Sequence, residues 1–159
     1  MINQFSKYIM VKIVSIIFML YSATSYSAGT EGKYDNSTPT NVDFHRAIKL
    51  INNNKFEQAL TVLLEIESKK PLGYSKADLY NYLGYCSRKK TNPDFKKAEQ
   101  YYNKSLSLDP NHIGALEYLG ELYYETNRYD DAIKMLSRLE KVAGKGSEEY
   151  NELFQLLKN

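Results

Sequence analysis

The sequence has a single cysteine, no tryptophan and only two histidines among its 159 residues. One cysteine, Cys86, excludes an internal disulfide, so packing alone must hold the fold, even in an oxidising compartment. Cys86 also lies far from the N-terminus, where it could otherwise have accepted a lipid. The histidines, His45 and His112, are well separated and no paired cysteines accompany them, so the sequence predicts no metal site.

Motifs that carry enzyme chemistry are lacking as well. There is no His-Glu-x-x-His, no Gly-x-Ser-x-Gly and no glycine-rich phosphate loop. A lone helical cysteine is more often a small buried apolar residue than a nucleophile, and only Arg88 and Lys89 place positive charge near Cys86 in the sequence. We therefore expect no catalytic residues, no cofactor and no enzyme activity.

The first 28 residues have the layout of a secretory signal peptide. Lys7 and Lys12 give a positive start, residues 13–20 form an uncharged apolar block, and small residues follow as far as Ala28. The apolar block is shorter than the roughly 20 residues that a membrane-spanning helix needs. This pattern predicts export from the cytoplasm.

Cleavage of this segment is expected after Ser25 or Ala28, which would leave a periplasmic or secreted protein. The alternative is an inner-membrane anchor formed by residues 8–20. The polar residues 29–40 contain Gly and Pro and almost nothing apolar, so they predict a flexible leader.

The net charge does not favour binding to nucleic acid or to a membrane surface. The sequence has 21 basic and 19 acidic residues, and loss of Lys7 and Lys12 with the signal peptide leaves the two signs balanced. After cleavage we expect no contact with nucleic acid and none with the membrane. The oligomeric state is left open.

One spaced signature occurs three times along the rest of the chain. Its most complete copies are Leu116-x-x-Leu119-Gly120-x-x-Tyr123 with Ala132-x-x-x-Leu136, and Tyr80-x-x-Leu83-Gly84 with Ala98-x-x-x-Tyr102 ahead of Pro110. A weaker copy keeps only Ala47, Ala59-x-x-x-Leu63 and Pro71. These residues resemble the tetratricopeptide repeat, an antiparallel helix pair of about 34 residues.

The resemblance covers about residues 41–146. It implies an all-α fold, a right-handed α–α superhelix of three helical hairpins, with repeats at about 41–73, 77–112 and 113–146. Helical spacing places the helix pairs at 41–53 with 56–69, 76–90 with 94–108, and 112–126 with 129–143. Glycine on one helix and alanine on the other allow each pair to approach closely.

A last helix is expected within residues 147–159. Its apolar side chains fall on one face, with Glu149, Glu152 and Gln155 away from it; the apolar set is Tyr150, Leu153, Phe154 and Leu157. Solenoids expose an apolar end unless something covers it, so this segment predicts a capping helix.

The fifteen tyrosines are the compositional oddity, and many lie in the first helix of a pair. By helical spacing Tyr82, Tyr85, Tyr118 and Tyr124 face away from the paired helix, toward the inner surface that first helices line in this family. Two interpretations stay open. The rings either bind a partner, as tyrosine is suited to do, or cover neighbouring repeats.

The resemblance implies an adaptor of the bacterial cell envelope that binds a peptide or helix of a partner protein in the concave groove. The predicted contact residues are Asn81, Tyr85, Arg88, Glu117, Glu121 and Tyr124. Glu117, Glu121 and Glu125, spaced by four, are expected to form a solvated stripe. The alternative function is a small structural subunit of a secretion or pilus assembly, which binds through its convex face or its ends.

The family's clamp for a C-terminal carboxylate does not carry over to this chain. Phe44 and Ile48 stand where that clamp needs Lys and Asn, and the last repeat offers Glu117, Tyr118 and Glu121 where it needs basic groups. A carboxylate would therefore meet negative charge.

Overall fold

The computed structural model describes residues 41–70 and 72–158. The predicted signal peptide, the predicted leader and Pro71 lie outside the described residues. No helix among the described residues combines the length and the apolar character that a membrane crossing requires.

Seven α-helices, with no strand, make up the described part of the chain. They are α1 Val42–Asn52, α2 Phe56–Lys69, α3 Lys76–Lys89, α4 Phe95–Leu108, α5 Ile113–Glu125, α6 Tyr129–Ala143 and α7 Glu148–Lys158. Consecutive helices pack as the pairs α1–α2, α3–α4 and α5–α6, and α7 packs on both α5 and α6. The predicted fold class, three helical hairpins followed by a capping helix, is confirmed.

Polar side chains begin several of these helices by accepting a hydrogen bond from a free backbone N–H of the first turn. Asn41 Oδ1 accepts from the Phe44 amide at 2.8 Å, and Asp94 Oδ1 accepts from the Lys97 amide at 2.9 Å. His112 Nδ1 accepts from the Ala115 amide at 3.1 Å, while its Nε2 lies 2.8 Å from Asp78 Oδ1 on α3. His112 therefore caps α5 and also ties it to the preceding hairpin.

The two glycines of the repeat signature make room for different neighbours. A Cβ at Gly84 would lie 2.6 Å from Cε1 of Tyr102, a ring of α4 that is completely buried. A Cβ at Gly120 would overlap the Leu153 side chain of α7 and lie 3.2 Å from Cβ of Met135. Gly84 thus serves its own hairpin, as predicted, whereas Gly120 mainly receives the capping helix.

The capping helix uses its apolar face only in part. Tyr150 and Leu153 are buried, but Phe154 remains 37% exposed because its ring stacks on Tyr150, with centroids 5.8 Å apart, instead of entering the core. Glu152 lies away from the apolar face, as predicted, and is exposed. The predicted face of α7 is therefore wrong for Phe154 alone.

The sole cysteine lies in the core. Cys86 has no exposed surface and packs in the N-terminal cluster of buried apolar residues with Leu83 and Tyr101. Burial raises the pKa of its thiol to about 12, so the reactive thiolate is disfavoured. This environment supports the interpretation of Cys86 as a small apolar residue.

Candidate functional site

Four aromatic rings of the first helices form two contacting pairs, here together called the tyrosine strip: Phe44 with Tyr82, and Tyr85 with Tyr118. The centroids of Phe44 and Tyr82 lie 5.9 Å apart, and those of Tyr85 and Tyr118 lie 4.8 Å apart. Each ring touches a neighbouring repeat and is nevertheless only half-buried. Both interpretations of these residues therefore remain open, because covering a neighbour has not removed the rings from the surface.

The strip keeps free polar groups. The hydroxyls of Tyr82, Tyr85 and Tyr118 make no hydrogen bond to any residue in 41–70 or 72–158. Burial raises the pKa of all three phenols above the ordinary value of 10, so they stay protonated and able to donate. An aromatic surface with unused donors suits contact with a polypeptide.

Arg88 lies beneath this strip, which corrects its predicted role as a contact residue. It is 2% exposed because its guanidinium turns inward, with Nη2 hydrogen-bonded to Glu121 and Nη1 lying 3.2 Å from Glu125 Oε1. Its Cζ lies 5.9 Å from the Tyr85 centroid and 5.8 Å from that of Tyr118. Arg88 therefore joins α3 to α5 and supports the strip from behind.

Two other predicted contact residues are buried as well. Asn81 is 4% exposed, and its Nδ2 would lie 3.1 Å from a Cβ built on Gly114, so it packs between two hairpins. Glu117 is also 4% exposed. The predicted solvated stripe of glutamates is wrong for Glu117, which is enclosed. Glu121 is partly exposed and Glu125 is exposed, and both pair with Arg88.

Tyr124 stays near the surface, apart from the tyrosine strip. Its ring meets Tyr129 of the same hairpin edge-on, with centroids 5.6 Å apart. Of the six predicted contact residues, Tyr85, Glu121 and Tyr124 are the three that keep partly exposed side chains.

Glu117 belongs to a close group of carboxylates. Oxygens of Glu117, Glu121 and Glu152 all lie within 4.8 Å of one another. Burial, followed by the negative charges of Glu121 and Glu152, raises the pKa of Glu117 well above its ordinary value of 4.5. At neutral pH this carboxyl group therefore holds a proton.

A cavity of about 230 Å³ opens beside this group. We call it the acidic pocket; its lining residues are Glu117, Tyr118, Glu148, Glu149 and Glu152. One glutamate lies on α5 and the other three lie in the first half of α7. Helical spacing within either segment therefore could not predict that these side chains come together. The sequence signal that was missed is the excess of acidic residues in α7.

A second cavity, of about 410 Å³, lies at the turn between α5 and α6. Three of its charged residues are already paired, because Arg128 lies 2.8 Å from Glu99 and 2.9 Å from Asp131, and Lys134 also pairs with Asp131. We assign it a structural role.

Comparison with known proteins agrees with this architecture. Residues 92–156 match the sequence model of the family described as tetratricopeptide repeat. The fold is that of a tetratricopeptide repeat domain. No curated protein sequence gives a significant match.

Solved tetratricopeptide repeat domains superpose on most of the chain at low sequence identity. The OM64 domain of Arabidopsis gives a TM-score of 0.63 at 15% identity, covering 74% of this chain and 92% of that one. The second domain of human RPAP3, in complex with an HSP70 peptide, gives 0.61 at 14%, covering 74% and 92%. The TPR2B domain of yeast Sti1, in a complex with pHsp70, gives 0.60 at 17%, covering 74% and 98%.

The buried carboxyl of this repeat domain gives a testable pH dependence. The folded protein keeps the Glu117 proton while the unfolded chain loses it near pH 4.5, so the free energy of unfolding falls as pH rises above that value. Glu117→Gln should raise the free energy of unfolding by about 1–2 kcal/mol near pH 8 and change it little near pH 4. Thermal melts followed by circular dichroism across this range measure the difference.

The matched control is Glu65→Gln, which alters an exposed glutamate paired with Lys69 on α2. It should shift stability by less than about 0.5 kcal/mol at either pH. A gain for Glu117→Gln that is equal at both pH values would show that the carboxyl is ionised in the folded protein.

Proposed function

We propose that the protein is a protein–protein interaction adaptor of the bacterial cell envelope. It binds a peptide or helix of a partner on the first-helix face, which we define as the tyrosine strip together with Tyr124. The observation that carries the proposal is the strip itself, because half-buried rings with free hydroxyls run across consecutive first helices. Such a surface offers rigid contact area and hydrogen-bond donors at low entropic cost.

The similar domains support this choice of function class. Two of them are described as complexes, one with an HSP70 peptide and one with pHsp70. The peptide in the RPAP3 complex ends in Glu-Glu-Val-Asp. Here the acidic pocket is lined by Glu148, Glu149 and Glu152 and by no basic side chain, so a peptide with an acidic end would be repelled, and we propose a partner of different chemistry.

The envelope location rests on the sequence alone. Lys7, Lys12 and the apolar residues 13–20 have the order of a signal peptide. N-terminal sequencing of the protein from a periplasmic fraction should find a start at Tyr26 or Gly29. An intact Met1 in the membrane fraction would replace export with anchoring.

Site-specific photocrosslinking tests the binding face. A benzophenone amino acid is placed at Tyr85 or Tyr124, with matched controls at Gln100 and Ser137, which are exposed on the second helices. In cells of the source organism we expect the same partner bands from the two tyrosine positions and none from the controls. Crosslinks confined to Gln100 and Ser137 would overturn the proposal and favour a structural subunit that binds through its other face.

Affinity then measures the contribution of the rings. For the partner so captured, Tyr124→Ala combined with Tyr85→Ala should lose at least about 2 kcal/mol of binding free energy, as buried aromatic anchors do. Because Tyr85 also packs on Phe56, with centroids 5.9 Å apart, helicity and melting temperature must be compared first. Unchanged affinity in a folded double variant would move the binding site elsewhere.

A further inference from the structure

The acidic pocket holds negative charge that nothing in its lining balances. Four of its five lining residues are glutamates, the fifth is Tyr118, and no basic side chain lines it. The nearest guanidinium, that of Arg88, is already used by Glu121 and Glu125. A partner that entered this cavity would have to bring the positive charge itself.

Glu117 distinguishes the pocket from an ordinary acidic patch. Glu148 and Glu149 lie in the first turn of α7, where the helix dipole favours negative side chains, so their presence has a structural explanation. Glu117 has none: it is 4% exposed, lines the cavity and makes no ion pair with any described residue. A carboxyl oxygen of Glu117 lies within 4.8 Å of one from Glu121 and one from Glu152, so its close neighbours are other acids.

We propose that the acidic pocket binds a basic side chain, lysine or arginine, of the partner segment that lies on the first-helix face. This inference rests on the proposed function and names the chemistry of its partner. Glu117 and Glu152 would accept hydrogen bonds from the cation at the floor and rim of the cavity. Tyr118 would offer its ring face to the same charge, which adds a cation–π contact.

A basic side chain fits these groups better than a metal ion does. Calcium takes about six to eight oxygen ligands, and the close group supplies three carboxylates, one of which, that of Glu121, is already paired with Arg88. An ammonium or guanidinium needs fewer acceptors and gains from an aromatic wall. The pocket also borders the tyrosine strip through Tyr118, so one partner segment would reach both.

Binding should be coupled to loss of the Glu117 proton. The groups that face this carboxyl are Glu121 on its own helix and Glu149 and Glu152 on α7, all of which favour its protonated form. An entering cation favours the ionised form, so affinity should rise between about pH 6 and about pH 9. A carboxyl with a purely structural role would give no such rise.

The test is a titration of the purified protein followed by NMR of its backbone amides. The probes are Nα-acetyl-arginine amide and its neutral analogue, Nα-acetyl-citrulline amide, with calcium chloride as a third arm. We expect the arginine probe to shift amides of α5 and α7 around the pocket, more strongly at low salt, and the citrulline probe to leave them unchanged. Glu117→Gln should weaken the arginine response at least about fivefold, while Glu65→Gln should not.

Each remaining outcome overturns the inference. Equal shifts with both probes would indicate a contact without charge recognition, and equal affinity in Glu117→Gln would remove the buried carboxyl from the site. Saturation by calcium at far lower concentration than the arginine probe would make this a metal site. The two proposals can also be separated. If crosslinks from Tyr85 and Tyr124 still captured a partner but the arginine probe did not bind, the adaptor function would stand and only the cation site in the acidic pocket would be rejected.

Discussion

Leu153→Ala is expected to lower the free energy of unfolding by about 3–5 kcal/mol, which corresponds to roughly 10–20 °C in melting temperature. Leu153 is completely buried and sits in the space that Gly120 leaves open, so its loss creates a cavity where α7 meets α5. Denaturant unfolding followed by circular dichroism measures the loss. Phe154→Ala is the matched control on the same helix and should cost much less, because Phe154 is 37% exposed.

A second variant makes this prediction specific to the contact. Gly120→Ala alone should destabilise the fold, since its methyl group would overlap Leu153. In the double variant that methyl would occupy part of the space vacated by Leu153, so the combined loss should be smaller than the sum of the two. Strict additivity would mean that the two residues do not meet in the folded protein.

Arg88→Met is expected to cost about 2–4 kcal/mol. The change removes a buried cation and leaves Glu121 and Glu125, four residues apart on α5, to repel each other. The loss should stay below that of a fully enclosed ion pair, because the Glu121 and Glu125 side chains remain 19% and 36% exposed. Thermal and denaturant unfolding check the value.

Neutralising Glu121 in the same variant should restore part of the stability that is lost with Arg88. Arg88→Met combined with Glu121→Gln takes away one of the two stranded charges, so it should be more stable than Arg88→Met alone. Arg88→Lys keeps the charge but loses the two-pronged geometry and should fall between the wild type and Arg88→Met. An Arg88→Met variant with the wild-type free energy of unfolding would show that the ion pairs of Arg88 do not contribute to stability.

The repeated Leu-Gly and Ala positions were sufficient to predict the hairpins, because the pattern records contacts between helices that are adjacent in the chain, except at Gly120, where Leu153 of α7 fills the space. Gly84 and Tyr102 illustrate this: they lie 18 positions apart and meet as the pattern requires. The capping helix was also predictable, because the apolar residues of an amphipathic helix recur every three to four positions whatever the helix packs against.

The polar residues of the site could not be assigned in the same way. Arg88 meets Glu121 and Glu125 across 33 and 37 positions, and nothing in the local sequence of α3 shows that they are present. Glu117 has helical spacing typical of an exposed position, but α7 folds back over it and excludes water. The helical periodicity of a sequence tells which face of its helix a side chain occupies. Whether that face is buried depends on which distant segment packs against it.

Leu153 also restricts how copies of this chain could assemble. The slot above Gly120, which another molecule's helix would need for head-to-tail stacking, is taken by a residue of the same chain. A second copy that stacked its first helix on α5 at this point would therefore have to displace α7 of the same chain first.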